Sequence, residues 1–481
     1  MKNPITSKLF LLASILSLTS IAAFGQQTRP LFQPITIKTG QKNPQPTPTP
    51  LITKTSSTRP IITPEMPSRN PEATLESSAA LNSMRRTPFA LLQTIDIPGN
   101  SAVLIEGEDG ELILDSYADV PRNPASNVKV STTYAVLKTL GPEYRFITGV
   151  WTDGVIDQDT KTLIGNLYVS GRDPIFNYEN ATYIANELNR MGVGTVKGDV
   201  VVTSDFSLNF SNSATRSAAS LDSTLDSEKR SSRARIAWSK FRSNSKKVMT
   251  TSPNPSVTVF GSSKVSTLPT NAKLLFNHES TPLREIVKSM MNYSNNFMAE
   301  KLGGMVGGPS GVEWIVRRDT GISPYEFSIA SCSGLGVNRV TPRAHMKVLR
   351  LLDNYLETRN LRMTDVLPVA GMDDGTLRNR FDDGMELGSV VAKTGTLNQT
   401  DRGVSSLSGK LKTRKGSYYF VIFNQTGGVY SFRNFQNSFV PLVQNLLGGP
   451  APLGYMSKDM DKQLSQARVV YPKGVSPRMM N

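Results

Sequence analysis

The sequence predicts an α+β fold, in which strands and amphipathic helices are mixed along the chain. Short apolar runs bounded by Gly and Asn follow one another near residue 100, as in strands joined by turns. Other runs place apolar residues at helical spacing. Two apolar runs in the last quarter of the chain, G-S-V-V-A-K-T-G-T-L and S-Y-Y-F-V-I-F-N, are expected to be central strands of a sheet.

The elements are expected in the following order, beginning near Thr87. F-A-L-L-Q-T-I-D-I, S-A-V-L-I-E-G and E-L-I-L-D-S-Y are predicted strands, and a helix follows with Pro124 at its start and Gly141 at its end. R-F-I-T-G-V-W, T-L-I-G-N-L-Y-V-S-G and D-V-V-V-T-S are further predicted strands, with a helix around residues 183–191 before the last of them. A helical pattern beginning P-L-R-E-I-V-K precedes the two central strands, and F-R-N-F-Q-N-S-F-V-P-L-V predicts a closing helix that contains Pro441.

The N-terminal residues have the pattern of an export signal. Lys2 and Lys8 precede an apolar run from Leu9 to Phe24, and small residues stand before a cleavage position after residue 25. The run is short for a membrane span, although an uncleaved anchor is the alternative. Residues 26–83 are rich in proline without apolar periodicity, so we expect a disordered linker there. The sequence therefore predicts an exported protein of the periplasm or another extracytoplasmic part of the cell envelope.

The composition limits the chemistry. One cysteine, Cys332, allows no intramolecular disulfide and disfavours a Cys/His zinc site, and we predict no metal and no cofactor. A Ser-His-Asp triad would have to use His278 or His345, and we interpret both histidines as structural or surface residues. The net charge of +15 would suit a polyanionic partner, but export removes nucleic acid from reach, so no nucleic-acid partner is predicted.

Three short motifs occur in a fixed order. They are Ser-x-x-Lys at Ser126 and Lys129, Ser-x-Asn at Ser294 and Asn296, and Lys-Thr-Gly beginning at Lys393. Together they are the signature of the penicillin-interacting serine enzymes. Each motif alone is weak, because chance copies also occur. The chance copies are Ser243/Lys246, Ser68–Asn70, Ser207–Asn209 and Lys38–Gly40.

The surrounding sequence selects one copy of each motif. Ser126 stands at the start of a predicted helix, where Lys129 lies on the same face and free backbone N–H groups can stabilise an oxyanion. Ser294-Asn295-Asn296 lies at a predicted turn between apolar helices, and Val390–Ala392 lead as a strand into Lys393. The three selected motifs therefore predict one active site.

With these motifs the chain resembles the low-molecular-mass class C penicillin-binding proteins, the D-alanyl-D-alanine carboxypeptidase/endopeptidases. The resemblance runs from about Val103 to Leu447 and includes N-P-A-S-N-V-K-V-S-T-T-Y-A-V-L-K, L-Y-V-S-G-R-D-P, S-G-L-G-V-N-R-V-T-P and L-P-V-A-G-M-D-D-G-T-L. It implies the penicillin-binding protein/serine β-lactamase-like transpeptidase fold, an antiparallel sheet flanked by helices, with a smaller inserted α/β domain. The chain departs from the family at Ser331–Gly336, where Asp-Gly-Ser-Gly-Leu-Ser is usual, and is one residue longer at Asp373-Asp374.

The resemblance also implies a division into domains. We expect a catalytic domain in two parts, 84–149 and 281–449, an accessory domain inserted at 150–280, and a C-terminal tail at 450–481. Residues 215–250 hold nine Lys or Arg and three Asp or Glu, so a mobile basic loop is predicted at 211–249. The insert is shorter than in many members, which implies that one accessory domain is missing or reduced.

The resemblance implies a serine peptidase that acts on peptidoglycan stem peptides through an acyl-enzyme and needs no cofactor. Ser126 would be the nucleophile, Lys129 the general base and Ser294 a proton relay to the leaving D-alanine. Asn296 would hold a substrate amide. β-Lactam antibiotics would act as covalent inhibitors by acylating Ser126.

The Lys-Thr-Gly strand is expected to bind the other end of the substrate. Lys393 would attract the terminal carboxylate, and the hydroxyls of Thr394 and Thr396, on either side of Gly395, would donate hydrogen bonds to it. The backbone N–H groups of Ser126 and Thr396 would form the oxyanion hole.

Two alternatives remain at the level of the sequence. One is a serine β-lactamase or esterase on the same fold, and the other is a non-catalytic envelope-binding protein whose basic loop would hold an anionic envelope polymer. The intact motif residues argue against the second alternative. Asp173 in R-D-P is interpreted as a turn residue before proline, with substrate recognition as its alternative, and Cys332 as a small packed residue.

Overall fold

The computed structural model describes residues 85–245 and 252–475, so the predicted export signal and proline-rich linker lie outside the described residues. The strands in chain order are β1 (Ala102–Gly107), β2 (Leu112–Ser116), β3 (Ile147–Thr152), β4 (Val155–Asp157), β5 (Thr162–Ile164), β6 (Leu167–Gly171), β7 (Thr195–Val196), β8 (Val200–Val202), β9 (Thr258–Val259), β10 (Ser263–Val265), β11 (Lys273–Glu279), β12 (Phe327–Ser328), β13 (Arg339–Val340), β14 (Val390–Leu397), β15 (Val404–Thr413), β16 (Gly416–Gln425) and β17 (Arg468–Val470). The α-helices are α1 (Ala90–Thr94), α2 (Val128–Leu140), α3 (Tyr178–Arg190), α4 (Ala214–Leu225), α5 (Ser232–Asn244), α6 (Leu283–Tyr293), α7 (Asn296–Gly304), α8 (Gly308–Thr320), α9 (Pro342–Glu357), α10 (Val429–Leu446) and α11 (Met460–Leu464). Within these ranges, no helix combines the length and the apolar content that crossing a membrane requires.

One antiparallel sheet has the strand order β14-β15-β16-β1-β2 and carries the Lys-Thr-Gly motif on its edge strand. Alternate side chains of β16 enter different cores, because successive residues of a strand face opposite sides. Val421 and Phe423 pack in the cluster that contains α2 and α9, whereas Phe420 and Ile422 pack in the cluster that contains α10. The predicted antiparallel sheet flanked by helices is thus confirmed as a helix–sheet–helix arrangement.

The helical layer that holds the first two motifs is deeply buried. Every residue of α2 from Val128 to Leu137 is buried, and α6, α7 and α8 contribute to the same core. The helical pattern that begins P-L-R-E is interrupted at Ser294, which adopts a left-handed conformation between α6 and α7. The motif therefore lies at a turn between two helices, as predicted.

The segment predicted as an insert, 150–280, contributes most of the strands of two further sheets, and a second core lies there. One sheet has the order β10-β8-β6-β3-β11-β17, in which β6, β8 and β10 are parallel neighbours and β3 and β11 are antiparallel. A second, smaller sheet has the order β4-β5-β7-β9. Ile184 and Leu188 of α3, Leu221 of α4, and Val169 and Val200 of the larger sheet pack together in one cluster.

The prediction of a mobile basic loop at 211–249 is wrong for its described part, which contains α4 and α5. The hydroxyls of Ser213 and Ser231 cap the two helices by accepting from the N–H groups of Arg216 and Ala234. Trp238 and Phe241 of α5 are buried in a small cluster with Tyr183 of α3. Most serines and arginines of this segment are exposed or half-buried, although Ser217 and Arg230 are buried. They obscure the few apolar residues that anchor the helix.

Three further predictions need correction. The run G-S-V-V-A-K-T-G-T-L was expected to be a central strand, but it forms β14 at the edge of its sheet. F-A-L-L-Q-T was predicted as a strand but contains the short helix α1. The predicted C-terminal tail is partly ordered secondary structure, because α11 lies within it and β17 pairs with β11 of the insert. The helix α1 is only five residues long, and β17 forms by pairing with β11, a distant contact that the local sequence does not signal. The closing helix is confirmed as α10, with Pro441 inside it.

Candidate active site

The first motif lies in a strained turn that leads into α2. Ser126 is the middle residue of a 3₁₀ turn, Ala125–Asn127, and is half-buried. Ala125 has a φ of +47°, a left-handed conformation that costs a non-glycine residue energy. A side chain at Gly395 on β14 would collide with Ala125 and with the carbonyl of Pro124. The glycine of the Lys-Thr-Gly motif therefore lets the edge strand pack directly against the turn that holds Ser126.

Lys129 joins the first and second motifs. Its Nζ lies 2.9 Å from Ser126 Oγ, 2.7 Å from Asn296 Oδ1 and 2.6 Å from the carbonyl oxygen of Ser333. The side chain is fully buried, and burial lowers the pKa of Lys129 to about 7, while the negative charge of Glu300 acts in the opposite direction. A substantial neutral fraction near pH 7 leaves Lys129 able to accept the proton of Ser126.

The second and third motifs meet through a hydrogen bond. Ser294 caps the C-terminal end of α6 with a φ of +53°, and its Oγ accepts from Nζ of Lys393 at 2.8 Å. Lys393 Nζ also donates to the backbone oxygen of Thr394 at 2.7 Å. Burial, and then the positive charge of Lys129, lower the pKa of Lys393 well below its ordinary value. Lys129 thus contacts Ser126 and Lys393 contacts Ser294, and the two lysines repel one another.

The two threonines of the third motif have different partners. Thr394 Oγ1 hydrogen-bonds Thr376 Oγ1 at 2.8 Å, and Thr396 Oγ1 accepts from Nη2 of Arg433 at 2.9 Å. Alternation along β14 places both threonines on the opposite face of the strand from Lys393. The structure therefore brings Ser126, Lys129, Ser294, Asn296 and Lys393 together and sets the threonine hydroxyls apart from the lysine.

Sequence reasoning missed the residues that support Lys129 from outside the motifs. Ser333 belongs to S-G-L-G-V-N-R, a stretch that carried the family resemblance but received no role. Its carbonyl oxygen faces Lys129, and its N–H donates to Glu300 Oε1 at 2.9 Å. Glu300 also accepts from the N–H of Cys332 at 3.3 Å. The carboxylate thereby fixes the loop that carries the third hydrogen-bond partner of Lys129.

A buried polar chain under the nucleophile turn was also missed. Nε2 of His345 bonds Ser408 Oγ at 2.8 Å, and that hydroxyl donates to Asn127 Oδ1 at 2.5 Å. Asn127 Nδ2 donates to Ser406 Oγ at 2.6 Å, which in turn donates to the carbonyl of Pro124 at 2.6 Å. Burial lowers the pKa of His345 to about 3, so the ring is neutral. His345 therefore supports the turn from below and is a structural residue, as predicted.

The remaining singled-out residues have local contacts. His278 is buried, and its Nε2 lies 3.1 Å from Asn180 Oδ1 in the insert. Asp173 accepts from the N–H of Ile175 at 2.9 Å, as a turn residue does, and burial raises the pKa of its carboxyl to about 7. Cys332 is buried and burial raises the pKa of its thiol to about 12, so it is a packed thiol. Across the described ranges, no group of three acidic, histidine or cysteine side chains is placed to hold a metal ion.

Comparison with protein families places the chain in a known group. Residues 90–224 and 236–446 match the D-Ala-D-Ala carboxypeptidase 3 (S13) family, and these residues include all three motifs. The chain belongs to the S13 family. Among curated relatives, Carboxypeptidase DacB of Mycolicibacterium smegmatis is 32% identical over 166 residues, which are 31% of this chain and 35% of that protein. The match thus spans about a third of the length of this curated relative.

Solved structures share the fold of this S13 chain at lower identity. A predatory endopeptidase from Bdellovibrio bacteriovorus, acylated by penicillin G and bound to an immunity protein, has a TM-score of 0.64 and 22% identity. The likeness covers 77% of this chain and 99% of that one. Penicillin binding protein 4 of Haemophilus influenzae, in complex with a β-lactam, has a TM-score of 0.56 and 22% identity, covering 75% and 98%. The penicillin-binding protein fold predicted from the motifs is therefore confirmed.

Proposed function

We propose that this S13 protein is a serine-type D-alanyl-D-alanine carboxypeptidase/endopeptidase of peptidoglycan stem peptides. The observation that carries the proposal is the position of Lys129, a buried amine of lowered pKa that contacts both Ser126 Oγ and Asn296 Oδ1. A nucleophile in contact with a base that is neutral near pH 7 is the arrangement that acyl transfer requires.

The chemical steps follow from the contacts. Ser126 Oγ attacks the carbonyl carbon of the D-Ala-D-Ala bond while its proton moves to Lys129 Nζ. Backbone N–H groups of Ser126 and Thr396 stabilise the oxyanion, a role that rests on the family likeness. When the intermediate collapses, the peptide C–N bond breaks, and Ser294 passes a proton to the departing D-alanine nitrogen. Water then hydrolyses the ester to release the shortened peptide and restore Ser126.

β-Lactams would acylate the same serine, Ser126. The enzyme would act outside the cytoplasm. The structurally similar Bdellovibrio endopeptidase was captured acylated by penicillin G, which supports a β-lactam partner for this chain. The basic, apolar N-terminal pattern of residues 1–25 supports export.

The test uses the mature protein, a fluorescent penicillin and a peptide ending in D-Ala-D-Ala. Wild type is expected to become labelled and to release D-alanine, and Ser126→Ala is expected to do neither. The matched control is Ser131→Ala, because Ser131 is a buried serine of the same helix whose hydroxyl has no partner among the described residues. Labelling that survives Ser126→Ala would refute the assignment of the nucleophile. Labelling with rapid turnover of penicillin but without D-alanine release would indicate a β-lactamase, and neither activity would indicate a non-catalytic envelope protein.

We further propose that the exposed face of α5 holds an anionic envelope polymer. Arg233, Arg235 and Arg242 lie on this helix, and none of them pairs with a carboxylate within the described ranges. Ile236 is 64% exposed between them. Guanidinium groups without carboxylate partners on a rigid helix attract polyanions.

Pelleting with a purified cell-envelope fraction would test this surface. Wild type is expected to pellet at low salt and to be released as salt is raised, because exposed charges are screened. Replacing the three arginines by Gln should abolish the salt-dependent part of the binding. The control is Arg359→Gln, because Arg359 is a distant exposed arginine stacked on Tyr355, and this variant should bind like wild type. Equal pelleting of wild type and the triple variant would refute the proposal that this surface binds an anionic polymer.

A further inference from the structure

Lys393 is poorly placed to bind the carboxylate of a substrate. Its side chain is 0% exposed, and its Nζ already donates to Ser294 Oγ and to the backbone oxygen of Thr394. Burial and the nearby charge of Lys129 favour its neutral form. An amine in this position can tune Ser294 and Lys129, but it offers little charge to an anion in the cleft.

The opposite face of β14 presents the free hydrogen-bonding capacity. Thr394 and Thr396 lie there, and both are half-buried. Thr396 Oγ1 accepts from Arg433, and its own hydroxyl proton has no acceptor among the described residues. Arg433 itself is exposed on α10. A guanidinium and an unused hydroxyl donor thus meet three residues along the strand from Lys393.

A second guanidinium lies beside the first. Arg380 Nε donates to Asn437 Oδ1 at 2.7 Å, and its Nη2 donates to Gln436 Oε1 at 3.1 Å, both one turn beyond Arg433 on α10. Burial, and then the charge of Arg433, lower the pKa of Arg380 to about 10. Within residues 85–245 and 252–475, neither arginine forms an ion pair. Two like charges held close together on neutral partners favour an anion between or beside them.

Thr394 Oγ1 donates its proton to Thr376 Oγ1, so the unused hydroxyl donor is that of Thr396. We propose that Arg433, with the hydroxyl of Thr396, binds the C-terminal carboxylate of the stem peptide, while Lys393 serves Ser294 instead. This inference rests on the proposed peptidase function and assigns the specificity of the same site. A guanidinium can bind a carboxylate through two parallel N–H···O bonds, which fixes the orientation of the terminal D-alanine as well as its charge. Arg380 adds positive potential beside Arg433.

The experiment compares diacetyl-Lys-D-Ala-D-Ala with its C-terminal amide, which lacks only the negative charge. In Arg433→Gln the ratio of kcat/KM for the acid to that for the amide is expected to fall about tenfold, mainly through KM, as for the loss of a charge-assisted hydrogen bond. Arg433→Lys should recover part of the ratio. The matched control is Arg414→Gln, because Arg414 is an exposed, unpaired arginine in the β15–β16 turn, at the other end of the sheet, and should leave the ratio unchanged.

Each outcome separates the inference from the function on which it rests. If Arg433→Gln releases D-alanine with the acid-to-amide ratio of wild type, the carboxylate is bound elsewhere and the inference is overturned while the peptidase function stands. An equal loss on both peptides would show a structural role for Arg433 and would also overturn it. The acid releases D-alanine and the amide releases D-alaninamide when the same bond is cleaved. If wild type cleaves that bond in neither peptide, both the function and the inference fail.

Discussion

Lys129 is the residue on which the proposed chemistry depends most directly. As an ammonium group it could not take a proton from Ser126, and an unperturbed lysine would be almost fully charged at pH 7. Burial lowers its pKa to about 7, and Glu300 is the charge that acts against this shift. Glu300 is an exposed residue of α7 and reaches Lys129 only through the backbone of Ser333.

Glu300→Gln should therefore shift the pH dependence of acylation. Gln keeps an oxygen for the N–H of Ser333 but removes the negative charge that raises the pKa of Lys129. The pKa then falls, so the rise of the acylation rate with pH should occur at lower pH. Because Glu300 is exposed and screened, we expect a shift of less than about one pH unit. The measurement is the rate of labelling by fluorescent penicillin from pH 5 to 9.

Glu313→Gln is the matched control for this shift. Glu313 likewise accepts from a loop N–H, that of Ile329 at 2.6 Å, but it has no part in the pKa of Lys129. Its profile should coincide with that of wild type. A Glu300→Gln profile that stays in place, or moves to higher pH, would contradict the electrostatic role and leave Glu300 with a purely structural one.

The turn that carries Ser126, Ala125–Asn127, is held in place by contacts from several sides. Ala125 is held in a left-handed conformation, and the turn is pressed between Gly395 of β14 and Gly334, where a side chain would collide with the carbonyl of Ala125. Asn127 ties it to β15 through Ser406 and Ser408. A strained turn persists only where its surroundings determine its shape, so these contacts should matter for rate as well as for stability.

Asn127→Ala should lower both the stability of the protein and the rate of acylation. Two buried hydroxyls, of Ser406 and Ser408, would each lose one of their partners, which should lower the free energy of unfolding by about 1–3 kcal/mol. The turn would lose its link to β15, so acylation of Ser126 by penicillin should slow even at temperatures where the variant is fully folded. The two measurements are denaturant unfolding and the labelling rate.

Thr139→Ala is the control on the same helix. Thr139 Oγ1 bonds only the carbonyl of Ala135 one turn back, so its loss tests a local helix contact without touching the turn. Its labelling rate should match that of wild type. An Asn127→Ala protein that is destabilised but is labelled at the normal rate would show that the polar chain supports folding alone.

The limits of sequence reasoning are clearest at the scale of these elements. Ser-x-x-Lys, Ser-x-Asn and Lys-Thr-Gly could be placed on a helix start, a turn and a strand because each signal is local. The contact of Lys129 with the carbonyl of Ser333, 204 residues away in the chain, has no local signal because any residue can supply a backbone oxygen. The helices at 214–244 were missed for a different reason: their caps and exposed faces are serine and arginine, which also predict loops.

At the scale of the whole molecule, the C-terminal segment connects elements that are far apart in sequence. Tyr455 donates to Asp373 Oδ1 at 2.8 Å, and the other carboxylate oxygen of Asp373 pairs with the buried Lys288 at 2.6 Å. Asp373 is thus the centre of a buried polar cluster that lies close to the site.

Further along, the same segment reaches the insert. Lys458 pairs with Asp365 at 2.7 Å, Lys240 of α5 pairs with Asp461, and β17 adds to β11 at the edge of the larger insert sheet. Arg468 bonds Glu279 across that pairing at 2.7 Å. The stretch from Tyr455 to Val470 therefore ties Asp373 and Asp365, α5 and the insert sheet together.

Removing this stretch should loosen the insert before it affects the site. Ending the chain after Gly449 deletes β17, exposes the edge of β11 and leaves Asp373 without the Tyr455 hydroxyl, so we expect a lower unfolding temperature and earlier proteolysis within the insert than in wild type.

Tyr455→Phe removes only the hydroxyl and should cost about 1–3 kcal/mol, because a buried carboxylate loses one charge-assisted hydrogen bond. Calorimetry and timed proteolysis with mapped cleavage sites measure the two effects. Tyr430→Phe, at an exposed tyrosine of α10, controls for the change of residue type. The truncated chain could instead melt like wild type, with an insert that resists protease equally. In that case the C-terminal contacts do not stabilise the packing of the insert against the rest of the chain, and the insert sheet must be held by β3 and β11 alone.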